Sequence, residues 1–258
     1  MTESSTPTLS NEQLSEVLRL IKGADSVELK LTVPDTDHGS AVTALEMDVL
    51  TAQIRQVVFF DTPDLTLNKN GVVVRGRRVQ GRAGDTVVKL RPIDPADVPP
   101  KVRKDPGFGI EVDAMPGGFV CSGSMKATLD DYRVKETFAG SRPLSKLLTS
   151  EQRRFFADHA PEGVALDDLA RLGPINVLKL KFTPGEFGRR LVAELWFYPD
   201  ATRLLELSTK CAPAEGFQVA AELKAFLSGR GIDLSGAQAT KTRLALDYFA
   251  GQLTAAAS

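Results

Sequence analysis

Acidic and basic side chains alternate with apolar ones along a short segment near the start of the chain. In Ser26–Val33, Glu28 and Lys30 fall between valine and leucine residues. A β-strand points successive side chains to opposite faces, so this segment predicts a half-buried strand with an acid and a base on its polar face. One such strand is typical of an ordinary solvated surface, and only its repetition along the chain indicates a binding site.

Basic residues dominate the polar faces of three further predicted strands. These strands span residues 72–78, 86–91 and 177–182, and their basic residues are Arg75, Arg77, Lys89, Arg91, Lys179 and Lys181. Cations that face one another across a sheet repel, so their convergence would require a bound anion. The alternative is that these faces point to bulk water, in which case no ligand is needed.

Acidic residues recur on the polar faces of other predicted strands. Glu111 and Asp113 share one face of a strand, and Glu194 and Glu206 each lie in a strand of their own. An ordinary sandwich would leave these side chains outside, whereas a barrel with a polar lumen and helices over its apolar exterior would gather them into one channel. Such a channel would suit a polyphosphate chain, with cations on the phosphate oxygens and carboxylates on a divalent metal.

Helices and turns connect about eight predicted strands. Capping-box spacing at Ser10 and at Thr149 predicts the start of a helix after each residue. We also predict a helix over residues 41–53, a hairpin turn at 68–71 and a strand pair at the sheet edge over 127–138. A long loop rich in proline and charge, at residues 92–107, follows the strand predicted over 86–91 and could close over the site as a lid.

Composition limits the classes of function. The chain has 258 residues, enough for one large or two modest domains. Its 32 Lys and Arg nearly balance 33 Asp and Glu, which argues against binding to duplex nucleic acid or to a membrane surface. Only His38 and His159 are histidines, so a metal site would rest on carboxylates and would favour Mg²⁺ or Mn²⁺. With two cysteines and no membrane-length apolar run, we expect a cytoplasmic protein.

Seven motifs follow one another along most of Ser26–Tyr248. They are Glu28-x-Lys30, Phe59–Asp64, the segment 67–77 that ends in Arg-x-Arg, Thr86–Lys89, Glu111-x-Asp113, Leu205–Leu207 and Thr240-Lys241. Their order resembles that of the CYTH, or triphosphate tunnel, superfamily. Its most specific part is Phe-Phe-Asp-Thr-Pro-Asp at residues 59–64, followed by Arg-x-Arg.

The resemblance implies a fold and a range of activities. The implied fold is α+β, an eight-stranded antiparallel β-barrel (the triphosphate tunnel) with flanking helices and a helical insertion. Members of the family bind triphosphate compounds with Mg²⁺ or Mn²⁺, and they include inorganic, thiamine and RNA triphosphatases and class IV adenylyl cyclases. The partner implied here is therefore a small-molecule triphosphate or polyphosphate; the sequence does not indicate an oligomeric state.

The resemblance also implies roles for individual residues. Glu28 and Lys30 would be catalytic. The metal ligands would come from Glu28, Glu111, Glu194 and Glu206. The phosphate-binding residues would be Lys30, Arg75, Arg77, Lys89, Lys179, Lys181 and Lys241, where the motif does not choose between the two lysines at 179 and 181.

Two serines depart from the family pattern. The family reads Glu-x-Glu-x-Lys in the first strand and Glu-x-Glu in the penultimate strand, but Ser26 and Ser208 stand at one position of each. Asp25 cannot replace the missing carboxylate of the first strand, because a shift of one residue points to the other face. Fewer carboxylates should weaken divalent metal binding, so either one metal remains where relatives use two or the tunnel binds without turnover.

Three hypotheses for the function follow. The first is a metal-dependent triphosphatase, in which a water molecule attacks the terminal phosphorus. The second is a class IV-type adenylyl cyclase, in which the ribose 3′-hydroxyl attacks the α-phosphorus and pyrophosphate leaves. The third is a non-catalytic protein that binds polyphosphate or a phosphorylated nucleotide, which the two serines would favour. The first is our leading prediction, and the reaction product would separate it from the second.

The predicted domain organisation is simple. Residues 1–24 would form an N-terminal tail and helix, and residues 25–250 one tunnel domain. A helical insertion would occupy about 143–173, and residues 251–258 would form a C-terminal tail.

Overall fold

A β-barrel surrounded by short helices makes up the structure, which is a computed structural model that describes residues 10–234, 238 and 240–257. In these residues the strands are β1 Ser26–Val33, β2 Gln53–Asp61, β3 Val72–Val79, β4 Arg82–Leu90, β5 Phe108–Met115, β6 Gly118–Leu129, β7 Ala170–Phe182, β8 Leu191–Phe197 and β9 Arg203–Cys211. The α-helices are α1 Asn11–Gly23, α2 His38–Ala44, α3 Thr66–Lys69, α4 Pro100–Arg103, α5 Asp131–Ala139, α6 Ser150–Ala157, α7 Gly216–Gly229 and α8 Lys241–Ala257.

The barrel closes in the order β1-β5-β6-β4-β3-β2-β7-β8-β9, and β9 pairs with β1. Among these strands the β1–β5 pair is parallel and the other neighbours are antiparallel. The prediction of eight strands, all antiparallel, is therefore wrong. The turn at Met115–Gly118 separates two full strands, β5 and β6, and both belong to the barrel. The direction of β5 is set by its hairpin with β6, and this leaves it parallel to β1.

The lumen of the barrel is polar and its outer wall is apolar. In β1, Val27, Leu29 and Leu31 are buried on the outside, whereas Glu28 and Lys30 line a central cavity. The outer residues of β1, β5, β8 and β9 form one core with α1, α2 and α7. The outer residues of β3, β4 and β6 form a second core with α5 and α6. Helices thus cover the apolar exterior, as the alternation of the strands predicts.

Helix α8 covers an apolar part of the lumen. Ala245 and Leu246 of this helix pack with Phe59, Trp196 and other side chains that line the cavity. The hydroxyl of Tyr198 donates a hydrogen bond to the carbonyl oxygen of Lys241 at 3.2 Å, which ties the start of the helix to the barrel. The lumen is consequently closed by apolar packing near α8, and the charged groups occupy the rest of it.

Two predicted local structures are replaced by others. The helix predicted over 41–53 ends at Ala44, because Glu46 takes a positive φ of 52° and a short 3-10 turn precedes β2. The strand pair predicted over 127–138 is the end of β6 followed by helix α5. Val134 and Phe138 are four residues apart, so a helix places both against the second core.

The hairpin turn predicted at residues 68–71 is also replaced. The one-turn helix α3 ends here, and the carboxylate of Asp61 accepts hydrogen bonds from the amides of Thr62, Leu67 and Asn68 at 2.7–2.9 Å. Gly71 has a φ of 76°, and a Cβ atom at this position would lie 2.4 Å from the carbonyl oxygen of Arg91. The connection is longer than a tight turn, although β2 and β3 are still antiparallel neighbours.

Residues 92–107, which the sequence indicates as a possible lid, are fastened to the barrel. The guanidinium of Arg103 forms a two-pronged ion pair with the carboxylate of Asp25 at 2.8 and 3.0 Å. Asp94 pairs with Arg19, and the amide of Ile93 bonds the carbonyl oxygen of Cys121 at 3.1 Å. This segment therefore connects α1 to the barrel through hydrogen bonds and ion pairs.

Both predicted capping boxes are confirmed. Ser10 caps α1 and Thr149 caps α6, each with the reciprocal bond from a glutamine three residues later. The segment predicted as a helical insertion over 143–173 contains α6, but strand β7 already begins at Ala170. Helix α8 extends to Ala257, so it includes residues 251–257 of the segment predicted as a C-terminal tail. No helix in the described residues is long and apolar enough to cross a membrane.

Gln152 fastens α6 to the barrel and offers a test of this packing. Its fully buried amide nitrogen donates to the carbonyl oxygens of Thr86 and Met125 at 3.1 Å, and its oxygen accepts from the Thr86 hydroxyl at 2.9 Å. We expect Gln152→Ala to lower the free energy of unfolding by about 2–3 kcal/mol, because these buried groups lose their partners. Urea denaturation measures this loss.

The matched control is Gln218→Ala on the exposed surface of α7, which should change stability by less than about 0.5 kcal/mol. Equal stability losses for the two variants would show that Gln152 does not hold α6 in place.

Candidate active site

The lumen contains a cavity of about 690 Å³. Within the described part of the chain, ten basic and six acidic side chains line it, an excess of four positive charges. The whole protein has a net charge of −1, so positive charge is concentrated inside the barrel. An enclosed space of this size and sign fits a small, strongly anionic ligand.

Three carboxylates on β1 and β5 form what we term the carboxylate cluster, Glu28, Glu111 and Asp113. Each offers one oxygen atom within 4.8 Å of the others. Parallel pairing sets this geometry, because Ser26 lies opposite Glu111 and Glu28 lies opposite Asp113 in the β1–β5 register. The cluster therefore depends on the one strand pair whose direction the sequence did not predict.

Two lysines neutralise Asp113. Its carboxylate lies 2.9 Å from the Nζ atom of Lys30 and 3.3 Å from that of Lys89. Burial opposes ionisation of Asp113, but the two lysines outweigh it and lower the pKa of Asp113 to about 2. Lys30 also lies 3.2 Å from Glu28, and these two carboxylates raise the pKa of Lys30 above its ordinary value despite burial.

The two serines at family carboxylate positions bond the carboxylate cluster. The hydroxyl of Ser208 donates to Glu28 at 3.1 Å, and that of Ser26 donates to Glu111 at 3.4 Å. Lys210 forms an ion pair with Glu111. The serines thus support carboxylates that are present, although they add no negative charge for a metal.

A second acidic pair, Glu194 and Glu206, forms ion pairs with two lysines. The Nζ atom of Lys241 bonds both carboxylates, at 2.7 Å for Glu206, and Lys179 bonds Glu194 at 2.7 Å. Burial opposes ionisation of Glu194, yet Lys241 and Lys179 hold its pKa well below the ordinary value. Lys241 also lies 5.6 Å from the centre of the Trp196 ring. A metal at this pair would have to displace Lys241.

Three arginines on β2 and β3 form the guanidinium cluster, Arg55, Arg75 and Arg77. Asp85 accepts bonds from Arg77 at 2.6 and 2.7 Å and lies 3.4 Å from Arg75. The Nε atom of Arg75 is buried and has no hydrogen-bond partner among the described residues. Burial, reinforced by Arg77, lowers the pKa of Arg75. The cluster is thus poor in anions.

The structure brings most of the predicted site residues into one cavity. These are Glu28, Lys30, Arg75, Arg77, Lys89, Glu111, Lys179, Glu194, Glu206 and Lys241. Lys181 is exposed and does not line the cavity, although it shares a strand face with Lys179. It lies near the end of β7, where the polar face has already reached solvent.

Sequence reasoning missed several residues of the cavity. Asp113 is predicted on the same strand face as Glu111, but from the sequence it received no metal-binding or phosphate-binding role. Lys210 could have been found by its spacing from Glu206 and Ser208. Arg55 precedes the apolar run at residues 57–60, and Asp85 lies between the strands predicted over 72–78 and 86–91, so neither residue fell on a charged strand face.

Comparison with solved structures identifies the architecture. A protein from Hippeastrum, described as a candidate adenylyl cyclase with a dominant triphosphatase activity, superimposes with a TM-score of 0.63 over 84% of this chain and 93% of its own, at 21% identity. A candidate adenylate cyclase from Bacillus halodurans gives a TM-score of 0.60 over 85% of this chain and 97% of its own, at 12% identity. The chain shares the fold of these two proteins.

The likeness shows a shared fold, and this agrees with the tunnel fold that the resemblance to the CYTH superfamily implies. No protein-family model and no curated protein sequence matches the chain. At identities of 21% and 12% the activities of these neighbours do not transfer with the fold. The function of this barrel has to be argued from its own side chains.

The carboxylate cluster fits a divalent metal. All three groups supply oxygen atoms, which Mg²⁺ and Mn²⁺ prefer. The side chains of Glu28 and Glu111 retain 25% and 15% of their exposure to solvent, so an ion can reach them. Glu194 and Glu206 fit less well, because Lys241 already lies between them.

The depressed pKa of Asp113 makes the stability of the lumen sensitive to acid. A carboxyl whose pKa is lowered by folding stabilises the protein above the unfolded pKa and loses that contribution as the pH falls through the folded pKa. With a folded pKa of about 2 against an ordinary 3.8, the loss falls between about pH 4 and pH 2. We expect the difference in unfolding free energy between the wild type and Asp113→Asn to narrow by about 1 kcal/mol from pH 5 to pH 3.

Urea denaturation at each pH measures this difference. If the difference in unfolding free energy stays constant between pH 5 and pH 3, Asp113 is not an ionised carboxylate paired with lysines.

Proposed function

We propose that the tunnel binds a triphosphate compound and hydrolyses it with a divalent metal. The observation that carries this proposal is the arrangement of two unlike sites in one lumen, the carboxylate cluster and the guanidinium cluster. In the barrel order, β1 and β2 are separated by four strands on one side and by three on the other. A ligand that contacts both clusters must therefore extend across the lumen.

The basic side chains would bind the phosphate oxygens. Arg75 and Arg77 present planar guanidinium groups, which match phosphoryl groups with pairs of parallel hydrogen bonds. When a phosphate binds, Lys30 and Lys89 would exchange part of their ion pairing with Asp113 for ion pairs with the phosphate oxygens. The ligand exchanges existing ion pairs for new ones, so its binding does not have to overcome the desolvation of bare charges.

Hydrolysis would begin with attack of a water molecule on the terminal phosphorus. A P–O bond forms, the bridging P–O bond breaks, and its electron pair leaves with the diphosphate. Burial opposes ionisation of Glu28, but Lys30 lowers its pKa, so the Glu28 carboxylate is ionised and can accept the proton from the water. Lys30 and its neighbouring cations would stabilise charge on the phosphoryl oxygens as it develops.

The carboxylate cluster would hold the metal. A bound Mg²⁺ or Mn²⁺ would neutralise charge on the phosphoryl oxygens. Hydrolysis agrees with the dominant triphosphatase activity described for the Hippeastrum neighbour, which is a property of that protein.

A binding protein without turnover is the second candidate. It is favoured by Ser26 and Ser208, which replace two carboxylates, and by Lys241, which occupies Glu194 and Glu206. In such a protein the lumen would bind the triphosphate chiefly through its cations.

Product analysis tests the proposed reaction. Inorganic triphosphate and ATP would be incubated with the protein and Mg²⁺, Mn²⁺ or EDTA, and phosphate, pyrophosphate and cyclic AMP would be measured. We expect metal-dependent release of phosphate, which falls by at least about 100-fold in Glu28→Gln because that variant loses an ionised carboxylate at the reacting group. Glu151→Gln on the exposed face of α6 is the matched control and should keep full activity.

Pyrophosphate together with cyclic AMP would identify a cyclase instead. A rise in melting temperature with triphosphate, but no product under any condition, would identify the binding protein.

A further inference from the structure

Arg55 is a buried cation of the lumen for which the CYTH motifs give no role. It lies near the start of β2, lines the cavity beside Arg75 and Arg77, and is only 9% exposed. Its Nε and Nη2 atoms donate to the side-chain oxygen of Gln53 at 3.2 and 2.7 Å. This partner is a neutral amide two residues earlier on the same strand, so it does not neutralise the charge of Arg55.

The surroundings of Arg55 are short of negative charge. Asp85 is the carboxylate within ion-pair distance of the guanidinium cluster in the described residues, and it bonds Arg77 and Arg75. Burial, reinforced by the positive charge of Arg77, lowers the pKa of Arg55 to about 10. The carboxylates of Glu194 and Asp85, neither of which bonds Arg55, offset this lowering of the pKa only in part. The buried Nε atom of Arg75 adds an unused donor. The guanidinium cluster on β2 and β3 therefore has more positive charges than carboxylates to pair with them, and a bound anion would supply the missing partner.

The position of the guanidinium cluster indicates which part of a ligand would supply that anion. The carboxylate cluster is on β1 and β5, and the guanidinium cluster is on β2 and β3 across the barrel. A short ligand held at the carboxylate cluster would not span the lumen, whereas a longer phosphate chain would add a phosphoryl group on the far side. Arginine is suited to this contact, because its fork binds two phosphoryl oxygens at once.

We propose that Arg55 is a specificity-determining residue that binds the phosphoryl group farthest from the carboxylate cluster and so selects triphosphate over diphosphate. This inference rests on the proposed binding of triphosphates in the tunnel. It adds that the guanidinium cluster acts as a three-arginine subsite, filled only by a chain of sufficient length.

A purely structural role for Arg55 makes the opposite prediction for stability. A structural arginine contributes to folding, so its removal destabilises the protein. A buried guanidinium without a carboxylate partner instead costs folding free energy, and the ligand provides the compensation. Removal of Arg55 should therefore stabilise the ligand-free protein while it weakens binding of the longer ligand.

The test compares Arg55→Met with the wild type in two measurements. Calorimetry gives the affinity for imido-bridged analogues of triphosphate and of diphosphate, which resist hydrolysis, and thermal unfolding gives the stability of the ligand-free protein. We expect the affinity of Arg55→Met for the triphosphate analogue to fall by about 10- to 100-fold and its affinity for the diphosphate analogue by less than about 3-fold. The melting temperature should rise by about 3 °C.

Arg78→Met is the matched control. Arg78 lies on β3 beside the cluster but bonds Asp131 of α5, at 2.7 and 2.9 Å, and does not line the cavity. Its loss should leave both affinities unchanged and lower the melting temperature. Arg55→Lys retains the positive charge but lacks the paired donors of the guanidinium group, so it should keep less than about a tenth of the wild-type affinity for the triphosphate analogue. This variant also provides the test if Arg55→Met does not fold.

Two results for Arg55→Met would overturn the role of Arg55. One is an equal loss of affinity for the triphosphate and diphosphate analogues, and the other is unchanged affinity for both with a lower melting temperature. In either case the wild type still binds the triphosphate analogue, so the proposed function stands. If the wild type binds neither analogue, the proposed function fails and the selectivity fails with it.

Discussion

The ion pairs of Asp113 with Lys30 and Lys89 are the constraint on which the lumen depends. A barrel can keep a charged interior only if its ionised groups are compensated, because isolated charges in an enclosed space are expensive. Asp113 joins β5 to β1 through Lys30 and to β4 through Lys89. These contacts hold the wall that carries the carboxylate cluster, and they give the lysines a partner in the absence of a phosphate. The same pairs would be loosened by a bound phosphate.

The two walls of the lumen differ in how completely their charges are balanced. Around the carboxylate cluster and the Glu194–Glu206 pair, every carboxylate has a lysine within ion-pair distance. On the opposite wall Asp85 pairs with Arg75 and Arg77, and the guanidinium of Arg55 bonds only the neutral side chain of Gln53 among the described residues. The guanidinium cluster therefore carries two of the four excess positive charges of the lumen, and Arg91 and Lys126 account for the other two. This asymmetry gives a phosphate chain a direction across the tunnel, with its far end held by arginine.

Much of this arrangement could be predicted from the sequence because strand alternation fixes which side chains share a face. It placed Glu28 with Lys30 and Arg75 with Arg77, and the structure has both pairs in the lumen. Alternation could not show where a strand leaves the barrel, which is why Lys181 is exposed while Lys179 is inside. It also does not specify which strands are neighbours. The carboxylate cluster needs the parallel β1–β5 pair, and the bonds of Asp85 to the arginines need the β3–β4 register.

The central claim is that a phosphate chain extends from the carboxylate cluster to the guanidinium cluster. A crystal structure of the protein with Mn²⁺ and the imido-bridged triphosphate analogue tests this claim most directly, because anomalous scattering locates the metal and the electron density locates each phosphorus. The account predicts Mn²⁺ at Glu28, Glu111 and Asp113, with the far phosphoryl group on Arg55, Arg75 and Arg77. Mn²⁺ between Glu194 and Glu206, or a phosphate chain that does not reach these arginines, would contradict it.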